Sequence, residues 1–239
     1  LNDYELPKNV TLDFTGEQEK QEENMNFLLK ALLIALGGIL LILVAQFNSI
    51  SKPVIILTSV VLSLAGVFLG MVIFQMDFII IMTMMGIISL AGIVVNNAIV
   101  LIDYTQILID RKKEEQGLAE KDLLTKKEYF TLIVEGGKSR LRPVLLTAVT
   151  TVLGLIPLAV GLNIDFFSLI IDYDPKIYIG GDNVIFWGPL AWTVIFGLTF
   201  ATFLTLVVVP IMFYMVNRGK VKYANKRKKK KEKKKLLTS

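Results

Sequence analysis

An all-α polytopic membrane protein with five transmembrane helices is the fold class that the sequence predicts, on three observations. The 239 residues are 54% apolar, with a mean hydropathy of +0.60, above the roughly 45–50% apolar share of soluble domains. The charged residues are spaced so that five uncharged runs remain: 21 residues between Lys30 and Lys52, 24 between Lys52 and Asp77, 25 between Asp77 and Asp103, 22 between Arg142 and Asp165, and 35 between Asp182 and Arg218. A helix rising 1.5 Å per residue crosses hydrocarbon in about 20 residues, so each run is long enough. The sequence also contains no Cys and no His, which excludes thiol and imidazole catalysis, disulfide frameworks and Cys/His zinc sites; an enzyme is not expected.

Residues 1–24 are read as the end of an external domain leading into the first span. The chain opens on Leu1 with neither a basic n-region nor an apolar h-region, and is therefore expected to be the C-terminal piece of a longer membrane protein. KNVTLDF (8–14) reads as a closing strand, and the polar run after Thr15-Gly16 as a helix that continues into the membrane. Spans one to three occupy 25–104, near 25–47, 53–75 and 79–102. LLIALGGILLILVA (32–45) and PVIILTSVVLSLAGVFLGMVIF (53–74) are apolar all round, which a half-solvated helix is not.

Segment 105–142 is read as a cytoplasmic amphipathic connection lying along the inner surface. Leu123, Phe130 and Val134 recur at helical spacing among charges and Gly136-Gly137 ends the helix. Spans four and five fill 143–215, with Pro143 in a first helical turn and an external loop at 163–187. That loop holds a turn signal at Gly180-Gly181-Asp182. Residues 216–239 form a basic tail: 218–239 carry 12 Lys/Arg against one Glu, so the +5 net charge belongs to the tail and the remaining chain is acidic.

Orientation follows from the same charges, because Lys/Arg-rich connections stay cytoplasmic. With the first residues outside, inner segments hold 22 Lys/Arg and outer segments 3, placing the C-terminus inside. Trp187 and Trp192, at the outer end of the last span, suit an interfacial aromatic belt.

The third span places amides in hydrocarbon, in GIVVNNAIVLIDY (92–104). At 100° per residue, Ser89, Gly92, Asn96 and Asp103 share one narrow stripe, which must face protein. The stripe serves either interhelical hydrogen bonding or transport. In the fourth span, Arg140, Thr147, Thr150, Thr151 and Gly154 share a face, and Asn97 and Thr147 lie at similar depth from the cytoplasmic boundary. Arg140 and Arg142 could each be a positive-inside anchor, a use that suits Arg142 better.

TGEQEKQEE (15–23), QFNS (46–49), GIVVNNAIVLIDY (92–104), RLRPVLLTA (140–148) and GPLAWTVIFGLTFATFLTLVVVP (188–210) together resemble the C-terminal membrane half of resistance-nodulation-division (RND) efflux pumps. The hydrophobe/amphiphile branch is the most similar. The resemblance implies the last five of twelve spans in a bacterial inner-membrane homotrimer. It also implies the N-terminal half of the same pump, a periplasmic adaptor and an outer-membrane channel as partners, and exchange of inward protons for outward drug or detergent. No cofactor or metal is implied. Carried over residue by residue, Arg140 and Thr147 match the family's RLRP arginine and its hydroxyl partner, and Asn97 the Asn after the relay Lys. Asn96 stands where the multidrug subgroup has that Lys. An amide holds no charge, which leaves Arg140 as the counter-charge for an acid on the other half.

Other signals are weaker. Gly137-Lys138-Ser139 lacks the first Gly of a phosphate loop, since position 132 is Leu. Five Met between 71 and 85 suit packing among apolar helices better than Cu(I). The Lys-rich tail is expected to reinforce topology or touch lipid, without nucleic acid as a partner. The alternatives are an RND-type metal-ion exporter, a protein-export accessory subunit, or a non-transporting five-span anchor.

Overall fold

The computed structural model describes residues 16–119, 122–174 and 176–236; the strand expected at 8–14 lies outside them. Five long helices form the bundle: α1 (Glu17–Phe47), α2 (Ser51–Ile73), α3 (Ile80–Glu115), α4 (Lys126–Val160) and, after a small two-stranded element, α6 (Asp182–Leu236). All five are long and apolar enough to cross a membrane. That element is an antiparallel pair, β1 (Leu162–Asn163) with β2 (Tyr178–Ile179), enclosing the short α5 (Phe166–Ile171).

α6 is the hub, packing against α2, α3 and α4, while α1 leans on α2 and α3. Glycine explains the closest of these contacts. Gly66 and Gly70 of α2 form a G-x-x-x-G pair, and a Cβ on either would lie 2.3 Å from Phe200 or Phe196 of α6. Without a hydrophobic force to drive helices together in lipid, such small residues allow dispersion contacts to hold them. Leu90 of α3 likewise enters the space left by Gly197. The buried face of α3 is completed by Val94, Ala98, Leu101 and Ile102.

α1 buries only Leu28 and Leu43, and Leu33, Ile34, Leu41 and Ile42 are exposed, as in a lipid-facing helix. The polar run after Gly16 is helical and continuous with the span, as its sequence predicts. Asn48 stops α1 in the left-handed conformation, at φ 43°.

The connection between α3 and α4 differs from expectation. Gly136-Gly137 do not end a helix, and Pro143 is not in a first turn; α4 runs unbroken from Lys126 through both. Its start is fixed by a capping box in which Thr125 and Glu128 satisfy each other's backbone N–H. Gly136 is there for close approach, because its Cβ would sit 2.5 Å from Thr105 Oγ1 of α3. Leu123, Phe130 and Val134 are exposed, whereas Leu124, Tyr129 and Ile133 pack inward. The amphipathic stretch is therefore the first turns of the fourth span helix instead of a separate helix along the surface.

At the end of the bundle that carries the strand pair, Gly161 closes α4 at φ 70°, where a Cβ would also collide with Val184. Asn163 Nδ2 donates to the carbonyls of Gly161 and Gly180, tying the α4 terminus to the expected Gly180-Gly181 turn. Trp192 Nε1 donates to Ala159 O at 3.0 Å, and its ring stacks with Phe196 and Phe74. Trp187 stays exposed.

Candidate functional site

The site forms where α3 and α4 lie side by side. Gly136 meets Thr105 and the Arg140 guanidinium carbon lies 4.2 Å from the Tyr104 ring centroid, so the helices run antiparallel with these residues as a register mark. Asn97 is seven residues from Tyr104, and Thr147 seven from Arg140. At 1.5 Å per residue both lie about 10 Å further along, so Asn97 and Thr147 are level, as their depths in the sequence predict.

The polar stripe is uncovered. Because α3 turns its other side to α6, Ser89, Gly92, Asn96 and Asp103 are all exposed, as are Thr147, Thr150 and Gly154 of α4. The stripe thus faces none of the other four helices, where the sequence reading requires a protein neighbour. Asn97 differs from Asn96 by 100° and is buried, with 8% of its surface exposed. The hydroxyls are satisfied within their own helix: Thr147 Oγ1 donates to Val144 O and Thr151 Oγ1 to Thr147 O. None of Asn96, Asn97, Arg140 and Thr147 hydrogen-bonds to another.

Arg140 is the electrostatic anomaly of this face. Its Nε is buried without a hydrogen-bond partner, and its plane of charge rests on Tyr104. Leaving a buried N–H unsatisfied costs about 1–3 kcal/mol, against about 0.5–2 kcal/mol returned by a cation–π contact. The guanidinium is therefore held without an anion. The carboxylate nearest this contact along α3 is Asp103, beside Tyr104, and Arg140 makes no ion pair among the described residues. Tyr104 has no assigned part in the sequence reading, although it ends the most polar motif of the third span; a ring about two turns beyond the amides was the available signal.

The sequence profile of the AcrB/AcrD/AcrF family matches residues 1–163. The swarming motility protein SwrC of Bacillus subtilis is 35% identical over 222 residues, covering 93% of this chain and 18% of that protein. Multidrug resistance protein MdtC of Escherichia coli O157:H7 is 25% identical over 223 residues, covering 93% and 19%. Among solved structures, a heavy metal efflux pump superposes with a TM-score of 0.63 at 28% identity, covering 88% of this chain and 18% of that one. The chain thus spans about a fifth of the length of the relatives it matches. With five helices able to span and a family profile over most of its length, the chain is a multi-pass membrane protein and belongs to the AcrB/AcrD/AcrF family of RND transporters.

Proposed function

We propose that the chain is the C-terminal membrane part of a proton-driven RND permease that exports hydrophobic or amphiphilic compounds. In this reading it sits in a bacterial inner membrane with residue 16 on the periplasmic side and the Lys-rich end of α6 in the cytoplasm. The intact permease is a homotrimer working with a periplasmic adaptor and an outer-membrane channel. One observation carries the reading: a polar face on the side of α3 away from α6 presents Arg140 with its Nε unbonded and no ion pair among the described residues, even though Asp103 stands beside its stacking partner Tyr104.

A carboxylate brought to this face from the N-terminal half would be stabilised in its ionised form by Arg140, which lowers its pKa. It would be bound when neutral by amides such as Asn96. Proton uptake then weakens the pairing with Arg140 and proton release restores it, giving two packings of the face that a substrate route can follow. Asn97 and Thr147, level with each other, would adjust between the two.

The test is substrate-dependent proton flux. Full-length permease in vesicles with an imposed proton gradient should move protons faster when a cationic dye or detergent is added. No change with any amphiphile would reject the reading. The metal-exporter alternative draws on the likeness to a heavy metal efflux pump, and it predicts proton flux stimulated by metal ions but by no amphiphile.

A further inference from the structure

Tyr104 is set where it can determine how Arg140 meets an acid. Its ring covers one face of the guanidinium at 4.2 Å, and Arg140 Nε is buried with nothing to bond. Of the two edges by which a guanidinium grips a carboxylate, the one that uses Nε is closed. The edge formed by the two terminal nitrogens remains, and it makes no hydrogen bond or ion pair among the described residues. The contact is held from behind by the close approach of Gly136 to Thr105, the neighbour of Tyr104.

We infer that Tyr104 is the positioning residue for Arg140, stacking on the guanidinium so that it receives a carboxylate end-on through Nη1 and Nη2. The inference rests on the proposed function, since it presupposes an acid arriving at this face. It assigns the work to the ring and none to the phenol hydroxyl. Asn96, with no charge of its own, cannot substitute as a second cation, so the orientation of Arg140 sets the whole electrostatic contribution from this face. Other charged groups near this end of the bundle are Asp103 and Asp110 on α3, Glu135, Lys138 and Arg142 on α4, Lys52 at the start of α2, and Arg218 and Lys220 on α6. The stretch 203–217 of α6, which packs on α4, carries no charge and one phenol, Tyr214.

The experiment compares Tyr104→Phe, Tyr104→Leu and Arg140→Ala in the full-length permease, measuring efflux rate against pH in vesicles. Tyr104→Phe should match the wild type. Tyr104→Leu should lose about tenfold in rate, the factor corresponding to a partly desolvated cation–π contact. Its activity profile should also move to higher pH, because a poorly aligned cation lowers the acid's pKa less. Normal rate and profile in Tyr104→Leu, beside an inactive Arg140→Ala, would overturn the positioning role and leave the proposed function standing. So would a loss of rate with no shift in profile, or an equal defect in Tyr104→Phe. Unchanged efflux in Arg140→Ala would instead remove the proposed function on which the inference rests.

Discussion

Replacing Gly66 and Gly70 by alanine should separate α2 from α6 and destabilise the bundle. At Gly70 the new Cβ would lie 2.3 Å from Phe196 Cγ and 2.6 Å from its Cβ; at Gly66 it would lie 2.3 Å from Phe200 Cβ. Carbon atoms pack best at about 3.5–4.0 Å, so each methyl is short of room by about 1.2 Å or more. Neither ring can simply swing away. The clash at Gly66 is with the first side-chain atom, and Phe196 is wedged between Phe74 and Trp192, with centroids at 5.0 and 5.3 Å. The helices must part, and overpacking of this kind costs about 1–3 kcal/mol per site. Gly37 and Gly38 of α1 provide the control, since a Cβ there meets nothing within 4 Å. Alanine at those positions should be neutral or gain up to about 1 kcal/mol from helix propensity. Unfolding of the two double variants in mixed micelles, followed by helix content, measures the difference. Equal stability for Gly66→Ala/Gly70→Ala and Gly37→Ala/Gly38→Ala would refute the close-packed α2–α6 contact.

Three further outcomes are expected. Asn96→Lys should fold normally, because position 96 is exposed; in the intact permease the added ammonium should lower the acid's pKa and move the pH optimum of efflux down, and an unmoved optimum would place position 96 away from the acid. Thr125→Ala removes one half of the α4 capping box and should cost about 1 kcal/mol, visible as faster amide exchange over the first turns of α4 alone; unchanged exchange would show that the cap does not hold the helix start. The native chain has no Cys, so single-Cys variants at Lys176, Lys113 and Lys138 report topology directly. An impermeant thiol reagent should reach position 176 from outside and the other two only after permeabilisation, and labelling of position 113 in sealed cells would break the five-span map.

The number and place of the helices were legible because charge spacing is a strong signal in a chain that must avoid burying charge in hydrocarbon. Lys52 and Asp77 fall within a few residues of the observed helix ends, whereas Asp103 and Arg142 lie well inside α3 and α4, which run on to Glu115 and back to Lys126. What the spacing could not give was how far helices continue past the membrane. Gly136-Gly137 resemble a terminator in one dimension, yet the lack of a side chain at Gly136 serves contact with Thr105, a tertiary requirement that overrides propensity. The packing partners were equally hidden: G-x-x-x-G at 66–70 reads only as a place where some helix can approach, and Phe196 and Phe200 of α6, which fill it, lie far along the chain. At the site, periodicity alone puts Ser89, Gly92, Asn96 and Asp103 on one stripe. That the stripe is left open depends on which side of α3 the other helices choose. The Tyr104 contact needed both helices in register.

Proton-driven efflux by Arg140→Ala is the most direct test of the account. Full-length permease carrying this substitution, reconstituted in vesicles with an imposed inward proton gradient, should assemble normally and export no amphiphile above the rate without a gradient. Wild-type efflux by that variant would contradict the account, leaving the Arg140 face as a packing surface with no part in coupling.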